Sequence, residues 1–424
     1  MISSIKRGLQ DYWEHLVAFR PNARLYLIYA IIAGVAMGIY RLLFNFYILS
    51  LGFDEKLIGN LLTTSSFAAL IFALPMGYLA DILGRKASLL ISGLIISLSI
   101  GMMVVVPVIP VLYAMNILSG IAQSLAGVTM SPFLMENSGE RERTYLFSFS
   151  SGMQMVSASV GNWIGGYLPT WVGKILNVDA ISSQAYGTSI MIVAIALAVG
   201  LIPLFMIKMP RLMHGDRTVF APISYAAKNP KKLTKLVLPM LITSLGAGLI
   251  MPFMNVFFRV QYNQPDQVIG VLFAWGSLAM GLGLLIAPPL ADRFGKIQVV
   301  VITQALSIPF LILLGFSPLF WISAAAYYIR VALMNMSGPV YQTFVMEKVD
   351  ASSRAMVASL VSMAWNFGWV ISPTISGILQ VRYGFGPPFA GTIILYTISV
   401  FMYWYFWWRK SDEREPVPTV VIPE

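Results

Sequence analysis

The sequence predicts an all-helical integral membrane protein in which twelve transmembrane helices form two pseudo-symmetric halves of six helices each. Three observations predict this fold. The chain of 424 residues is 58% hydrophobic and only 11% charged, whereas about a quarter of the residues of a soluble globular domain are charged. Apolar runs long enough to cross a bilayer recur along the whole chain. The sequence of the first half also returns in the second half.

The twelve spans are the apolar runs that lie between charged residues or Pro/Gly breaks. The first six are predicted at 24–51, 56–80, 87–107, 110–136, 144–171 and 186–207. The second six are predicted at 235–261, 267–291, 297–317, 319–347, 355–381 and 388–408. The predicted organisation is therefore an N-terminal half over 24–207, a polar cytoplasmic linker over 208–234, a C-terminal half over 235–408 and a cytoplasmic tail over 409–424.

Residues 1–23 precede the first span and do not resemble a cleaved signal sequence, because charged residues interrupt the place of its apolar core. The apolar residues of this segment fall on one helical face, namely Ile2, Ile5, Leu9, Trp13 and Leu16. This pattern predicts a short amphipathic helix on the cytoplasmic membrane surface. A solvated leader is the alternative.

The distribution of basic residues predicts the orientation in the membrane. If the N-terminus is cytoplasmic, 22 of the 28 Lys and Arg residues lie on the cytoplasmic side of the map. Only Lys56, Lys174 and Arg382 lie on the opposite side. This asymmetry predicts that both termini of a multi-pass protein of the cell (plasma or inner) membrane are cytoplasmic. The net charge of +10 is then explained by topology and by attraction to anionic lipid at the cytoplasmic face, with no nucleic-acid partner.

The residue inventory excludes several kinds of chemistry. The chain has no cysteine, and its two histidines, His15 and His214, lie outside the predicted spans. There is no phosphate-cradling GxxxxGK[ST] loop, and no nucleophile–base pair stands out among the residues of the spans. We therefore expect neither a metal site nor a cofactor, and no enzymatic activity. Separately, we expect a monomer.

An internal repeat relates the two halves. The stretch LADILGRK at 79–86 returns as LADRFGKI at 290–297, an offset of 211 residues. The same offset carries Ile58-Gly59 onto Ile269-Gly270 and Met135-Glu136 onto Met346-Glu347 without a gap. Parallel repeats of this kind place a substrate site near the membrane midplane, at the interface between the halves.

The stretch GYLADILGRK at 77–86 resembles the signature loop between the second and third helices of the major facilitator superfamily. The matching residues are Gly77, Asp81, Gly84, Arg85 and Lys86, and the second half keeps Asp292, Gly295 and Lys296. The resemblance implies a secondary transporter that works by alternating access, with a central cavity lined by helices 1, 4, 7 and 10.

Charged residues at the cytoplasmic helix ends form two equivalent sets, which we interpret as a cytoplasmic gate. The first set is Asp81, Arg85, Lys86, Glu136 and Arg143, and the second is Asp292, Lys296, Glu347 and Arg354. Each exposed pair is worth little, but a network that breaks on opening can bias a two-state equilibrium. The alternative is that these charges only set the topology.

Polar residues near the middle of the spans are the candidates for binding a substrate. Arg41 lies about 25 Å along the first helix from Arg24, at 1.5 Å per residue. The predicted binding residues are Arg41, Asn45, Asn116, Gln123, Asn255, Tyr327 and Arg330. Two buried cations without a carboxylate in the middle of any span predict a solute with an anionic group, which guanidinium groups bind well. The alternative is that both arginines bond to carbonyls, amides or water. Arg259, at the outer interface, is explained by snorkelling.

The sequence departs from the drug exporters that it resembles. Those proteins have proline where this chain has Asn162, and arginine where this chain has Asn116. The first helix also lacks the acidic residue that proton-coupled relatives use. We therefore expect a transporter of a small organic solute, with a proton-coupled multidrug exporter as the alternative and a non-transporting membrane receptor on the same fold as a remote one.

Overall fold

The computed structural model of the chain describes residues 19–139, 143–208, 230–349 and 354–409, and every regular element in these residues is helical. The first half contains α1 (Pro21–Ser50), α2 (Glu55–Ile71 and Ala73–Leu83), α3 (Arg85–Val105), α4 (Ile109–Glu136), α5 (Arg143–Leu176) and α6 (Ser183–Met206). The second half contains α7 (Pro230–Tyr262), α8 (Asp266–Phe294), α9 (Lys296–Phe316), α10 (Phe320–Glu347), α11 (Arg354–Tyr383) and α12 (Gly386–Trp408). The predicted fold of twelve helices in two halves is confirmed.

Eight of these helices are long and apolar enough to cross a membrane, and the bent α2 makes a ninth candidate span. The remaining three, α5, α10 and α11, are equally long but contain more polar residues. The predicted amphipathic helix before residue 19, most of the linker and nearly all of the tail lie outside the described residues.

The repeat in the sequence is also a repeat in the structure. Helices α2 to α5 begin 211 residues before α8 to α11, at the same points of the chain. The tight turn that follows α2 depends on Gly84 with φ +79°, and the turn that follows α8 depends on Gly295 with φ +91°. A residue with a side chain is strained at such positive φ values, so each half needs glycine at the same point of its signature loop.

Among the described helices, α2 and α7 are interrupted where proline removes a backbone donor. Helix α2, predicted as one span over 56–80, bends by 58° between Ile71 and Ala73, just before Pro75. Helix α7 contains a short 3₁₀ segment at Met251–Phe253, which leaves the carbonyl group of Pro252 available to a neighbouring helix.

The packing of the core distinguishes the two ends of the molecule. We call the end at which α1 begins the basic end, and the end at which α1 finishes the far end. At the far end one apolar core contains side chains of both halves, for example Phe46 of α1 and Phe257 of α7. At the basic end each half has its own separate core, one around Phe133 and one around Tyr341. The halves are therefore joined at the far end and diverge toward the basic end.

Candidate functional site

Two asparagines join the halves near the far end. The Asn45 amide on α1 donates to the Pro252 carbonyl at 2.7 Å and to the Asn255 side-chain oxygen at 2.9 Å. The Asn255 amide donates back to the Leu42 carbonyl at 2.8 Å. Both asparagines are buried. Two residues of the predicted binding set thus bond to each other and to the backbone, and they close the space between α1 and α7.

Glycines allow the halves to approach closely at the same end. A Cβ atom on Gly166 of α5 would lie 2.7 Å from the Asp266 carbonyl oxygen and 3.1 Å from the Gly270 Cα of α8. Two turns nearer the basic end, the Ser159 hydroxyl donates to the Ala274 carbonyl at 2.8 Å. Helices α2 and α11 meet in the same way, with Gly59 against Pro373. Small residues of this kind are what close helix crossings in membranes require.

Nearer the basic end the same helices separate. A Cβ atom on Gly152 of α5 or Gly281 of α8 would meet no atom within 4 Å. These two glycines contribute to a cavity of about 920 Å³ between α5, α8 and α10. Its lining is almost wholly apolar and includes Met155, Trp275 and Tyr328. None of the seven predicted binding residues lines this cavity, so this apolar cavity and the predicted polar site are different places.

Arg41 is the predicted binding residue that remains available. It lies one helical turn before Asn45 on the face of α1 that turns toward α7, and its side chain is exposed although Leu42 and Leu43, which follow it, are buried. Within the described residues it makes no hydrogen bond and no ion pair. The guanidinium group is thus an unpaired cation directly beneath the closed far end.

Arg330 has a different environment. Its side chain is 1% exposed and lies inside the second half, between α10, α7 and α12. One terminal nitrogen donates to the Tyr396 hydroxyl at 3.2 Å and the other contacts the Met251 sulfur at 3.3 Å. The Nε atom is buried without a hydrogen-bond partner in the part of the chain that the structure describes. Arg330 therefore has neutral partners, and in this conformation it is not exposed to a solute.

The other three predicted residues are divided between packing and cavity positions. The Asn116 amide bonds to the Leu112 carbonyl at 2.9 Å and contacts the Met103 sulfur, both within the first half. Tyr327 is buried edge-on against Phe258. Gln123 is exposed and bonds only to Ser119 of its own helix, at 3.1 Å, among the described residues. Arg41 and Gln123 are thus the two exposed members of the predicted set.

The snorkelling interpretation of Arg259 is wrong. Its guanidinium group turns inward, forms an ion pair with Asp266 and donates to the Tyr186 hydroxyl at 2.6 Å. It also lies 3.4 Å from the centre of the Phe46 ring. The reason is the carboxylate of Asp266, which is close in sequence at the start of α8. Because Arg259 forms a charge-assisted pair with this carboxylate, its guanidinium group does not have to extend to the membrane interface.

The predicted cytoplasmic gate residues form separate clusters in the two halves. In the first half, Arg85 bonds to Asp81 at 2.8 Å and to Glu136 at 3.1 Å, and its side chain is only 8% exposed. Lys86 takes no part in this cluster, because its ammonium group donates to the Phe205 carbonyl at 2.7 Å. Arg85 thus connects the α2–α3 turn to the end of α4.

The second half repeats this arrangement incompletely. Lys296 pairs with Glu347, whereas Asp292 is exposed and makes no hydrogen bond or ion pair with the described residues. The side chains of Arg143 and Arg354 lie outside what the structure describes. These clusters hold helix ends together within each half, and their role in a gate between the halves stays a prediction.

Sequence reasoning missed the distant partners of the two arginines Arg330 and Arg259. Tyr396, the partner of Arg330, lies 66 residues away on α12, and no spacing pattern indicates the pair. Tyr186 and Asp266 are also far apart in sequence, yet the Tyr186 hydroxyl donates to the Asp266 carboxylate at 2.5 Å. One signal was available: an acidic residue at the start of α8, four residues after the end of a helix that carries Arg259.

Comparisons with known proteins agree with the architecture. The Major Facilitator Superfamily profile matches residues 26–238 and 236–422. The uncharacterized MFS-type transporter YxaM of Bacillus subtilis is 20% identical over 88% of this chain and 93% of its own length. The multidrug resistance protein MdtG of Proteus mirabilis is 23% identical over 90% of this chain and 94% of its own. The crystal structure of the nucleoside transporter NupG superposes with a TM-score of 0.72 at 16% identity, over 91% of this chain and 98% of that one. This multi-pass membrane protein is a transporter, not an enzyme, and belongs to the Major Facilitator Superfamily.

Proposed function

We propose that the protein carries a small organic solute with an anionic group across the cell membrane by alternating access. The observation that carries the proposal is the exposed, unpaired guanidinium group of Arg41 beneath the closed far end. A cation at membrane depth is costly unless a partner or water compensates it. A carboxylate, phosphate or sulfonate on the solute supplies such a partner, since guanidinium binds these groups through two parallel hydrogen bonds.

The orientation follows from the basic residues. The end at which α1 begins carries most of the Lys and Arg residues, and we place it in the cytoplasm. The conformation described above is then open to the cytoplasm and closed to the outside. A solute reaches Arg41 from the cytoplasmic side, with Gln123 of α4 as a second exposed polar contact.

Arg330 enters the proposal as a second, conditional contact. Its buried Nε atom has no hydrogen-bond partner among the described residues, and the terminal nitrogens have only a tyrosine hydroxyl and a thioether. Movement of α7 or α12 during transport exposes this group to a bound anion. In the conformation described above, Arg330 stays within the second half.

The rival proposal is a multidrug exporter for apolar or cationic compounds. The observation that favours it is the apolar cavity between α5 and α8, with its aromatic and methionine side chains. The name of the multidrug resistance protein from Proteus mirabilis points in the same direction. The two proposals differ in which residues a ligand contacts: Arg41 in the first and Trp275 or Met155 in the second.

The test is ligand-induced thermal stabilisation of the purified protein with anionic, zwitterionic and cationic solutes. Each stabilising compound is measured again with Arg41→Gln, Arg330→Gln and Trp275→Ala, and with Lys174→Gln as a control that removes an exposed cation outside the cavity. We expect anionic compounds to raise the melting temperature, Arg41→Gln to abolish this response, and Lys174→Gln to leave it unchanged.

Two results decide against the proposal. Stabilisation by cations or neutral amphiphiles that Arg41→Gln leaves intact and Trp275→Ala removes supports the drug-exporter proposal instead. Specific binding of an anion without flux of that anion into proteoliposomes indicates a receptor on the transporter fold. Flux that depends on Arg41 supports the proposed transport.

A further inference from the structure

A four-residue cluster connects the two halves at the far end. The first half supplies the Tyr186 hydroxyl from α6 and the Phe46 ring from α1. The second half supplies Arg259 from the end of α7 and Asp266 from the start of α8. Arg259 forms an ion pair with Asp266, donates to Tyr186 at 2.6 Å and stacks on Phe46 at 3.4 Å. Tyr186 in turn donates to Asp266 at 2.5 Å.

The two charged members of the cluster belong to one half, and this fact determines what opening does. Arg259 and Asp266 lie on either side of the short α7–α8 connection, so they move together when the halves separate. When the far end opens, Asp266 loses the hydrogen bond from the Tyr186 hydroxyl, and Arg259 loses its contacts with the rings of Phe46 and Tyr186. Water then reaches both charged groups. Because the carboxylate is 7% exposed in the closed state, its charge there depends on Arg259 and Tyr186.

We infer that Asp266 is a proton-binding site and that protonation of its carboxylate opens the far end. In the closed state a neutral Asp266 leaves the partly buried cation of Arg259 uncompensated, which is unfavourable. In the open state water solvates Arg259, and the carboxylate has already lost the hydrogen bond from Tyr186. The proton therefore binds more tightly to the open state, and acid shifts the population toward it.

The other described groups around Asp266 are neutral, aromatic or exposed, whereas its own carboxylate is buried. Helix α5 contributes the neutral Thr170, which accepts a hydrogen bond from Gln267 at 2.5 Å. Helix α1 contributes Phe46. Asp179, on the connection between α5 and α6, is a second carboxylate whose charge acts on Tyr186, and it is exposed. Asp179→Asn is therefore the matched control for Asp266→Asn.

The experiment measures the distance between spin labels at the far end as a function of pH. The chain has no cysteine, so Ile181→Cys of the first half and Leu319→Cys of the second half are labelled selectively in the full-length protein. Both side chains are exposed. His15→Gln and His214→Gln are included so that imidazole groups do not titrate in the same range. Ile82→Cys with Arg293→Cys reports on the basic end in a second sample.

We expect the far-open population to rise about fivefold or more between about pH 6 and about pH 3, because an aspartate solvated by water ionises with a pKa near 4. Asp266→Asn populates the far-open state at every pH and abolishes the dependence, whereas Asp179→Asn keeps it. Tyr186→Phe, which removes only the hydroxyl, moves the midpoint to higher pH because the closed state has lost a donor to the carboxylate.

Two results overturn the inference: a far-end distance that is independent of pH, or a pH response that survives Asp266→Asn. The inference rests on the alternating opening proposed above and needs no transported solute. A negative ligand panel with a positive pH response therefore contradicts the proposed substrate and leaves the proton site in place. A label pair that never changes at either end contradicts alternating access itself.

Discussion

The two ends of this transporter are held together in different ways. At the far end the contacts cross between the halves and involve glycines, two asparagines and one buried cluster with a net charge of zero. At the basic end the described ion pairs connect helices of the same half, as Arg85 does with Glu136 and Lys296 with Glu347. The charged residues of the signature loops thus stabilise each half, whereas glycines, two asparagines and one compensated ion pair close the space between the halves.

A physical reason underlies this difference. Close packing of two helices requires small residues such as glycine at their interface. When the helices separate, such contacts are lost without leaving a buried charge. A cluster of charges at a helix end is partly solvated in every conformation and is worth little when exposed. The comparison predicts that changes at the far end shift the conformational equilibrium, and that changes at the basic end first alter the stability of one half.

The largest effect is expected from Gly166→Leu on α5. Its Cβ would meet backbone atoms of α8, the Asp266 carbonyl at 2.7 Å and the Gly270 Cα at 3.1 Å, and backbone cannot move aside as a side chain can. We expect a cost of about 3 kcal/mol to the far-closed state, the upper part of the range for overpacked sites. This cost is a shift of about 150-fold toward the far-open state.

Spin labels at positions 181 and 319 measure this shift, and Gly152→Leu is the matched control on the same helix. A Cβ atom on Gly152 would meet no atom within 4 Å, so we expect its substitution to leave the far-end label distance unchanged. Equal shifts in the two variants would contradict the conclusion that α5 and α8 touch only toward the far end.

A smaller effect is expected from Arg85→Gln, which tests the basic end. Arg85 is nearly buried and bonds to two carboxylates, so its loss removes charge-assisted hydrogen bonds worth about 1.5–3 kcal/mol. Lys296→Gln removes the equivalent residue of the second half, whose single pair is more exposed and is worth at most about 1 kcal/mol. Thermal unfolding of the two variants measures the difference, and an equal loss of stability would show that burial does not distinguish the clusters.

The sequence predicted much of the fold but only part of the site. Span positions, the repeat and the turn glycines Gly84 and Gly295 are local or periodic signals, and they were sufficient to predict the twelve helices. The contacts of Arg330 with Met251 and Tyr396, and of Asp266 with Tyr186, depend on how distant helices rotate about their axes. Periodicity does not determine that rotation when a span is apolar on every side.

An effect smaller than that of Arg85→Gln is expected from the asparagine pair of the far end. Asn45→Ala and Asn255→Ala each remove a buried amide. Their effects on the equilibrium between the far-closed and far-open states are measured with the labels at positions 181 and 319, and the double variant gives the coupling free energy through a double-mutant cycle. We expect a coupling of about 0.6 kcal/mol, typical of hydrogen bonds between membrane helices. Asn335 is the control, because its amide donates to the Val331 carbonyl of its own helix. The free-energy changes caused by Asn45→Ala and Asn335→Ala are expected to add in the double variant. Additivity of the Asn45 and Asn255 variants would contradict a direct bond across the halves.

The smallest effects are expected from the two aspartates of the signature loops, and they separate a gate from a purely structural cluster. Asp81→Asn weakens an i,i+4 pair with Arg85 that is worth about 0.3–0.5 kcal/mol. Asp292→Asn leaves the melting temperature unchanged, because Asp292 makes no hydrogen bond or ion pair with the described residues in this conformation.

If Asp292 nevertheless contributes to a gate, it forms its ion pair only when the basic end closes. Asp292→Asn then shifts the label distance between positions 82 and 293 toward the open value without a change in melting temperature. A variant that changes neither quantity excludes Asp292 from the gate.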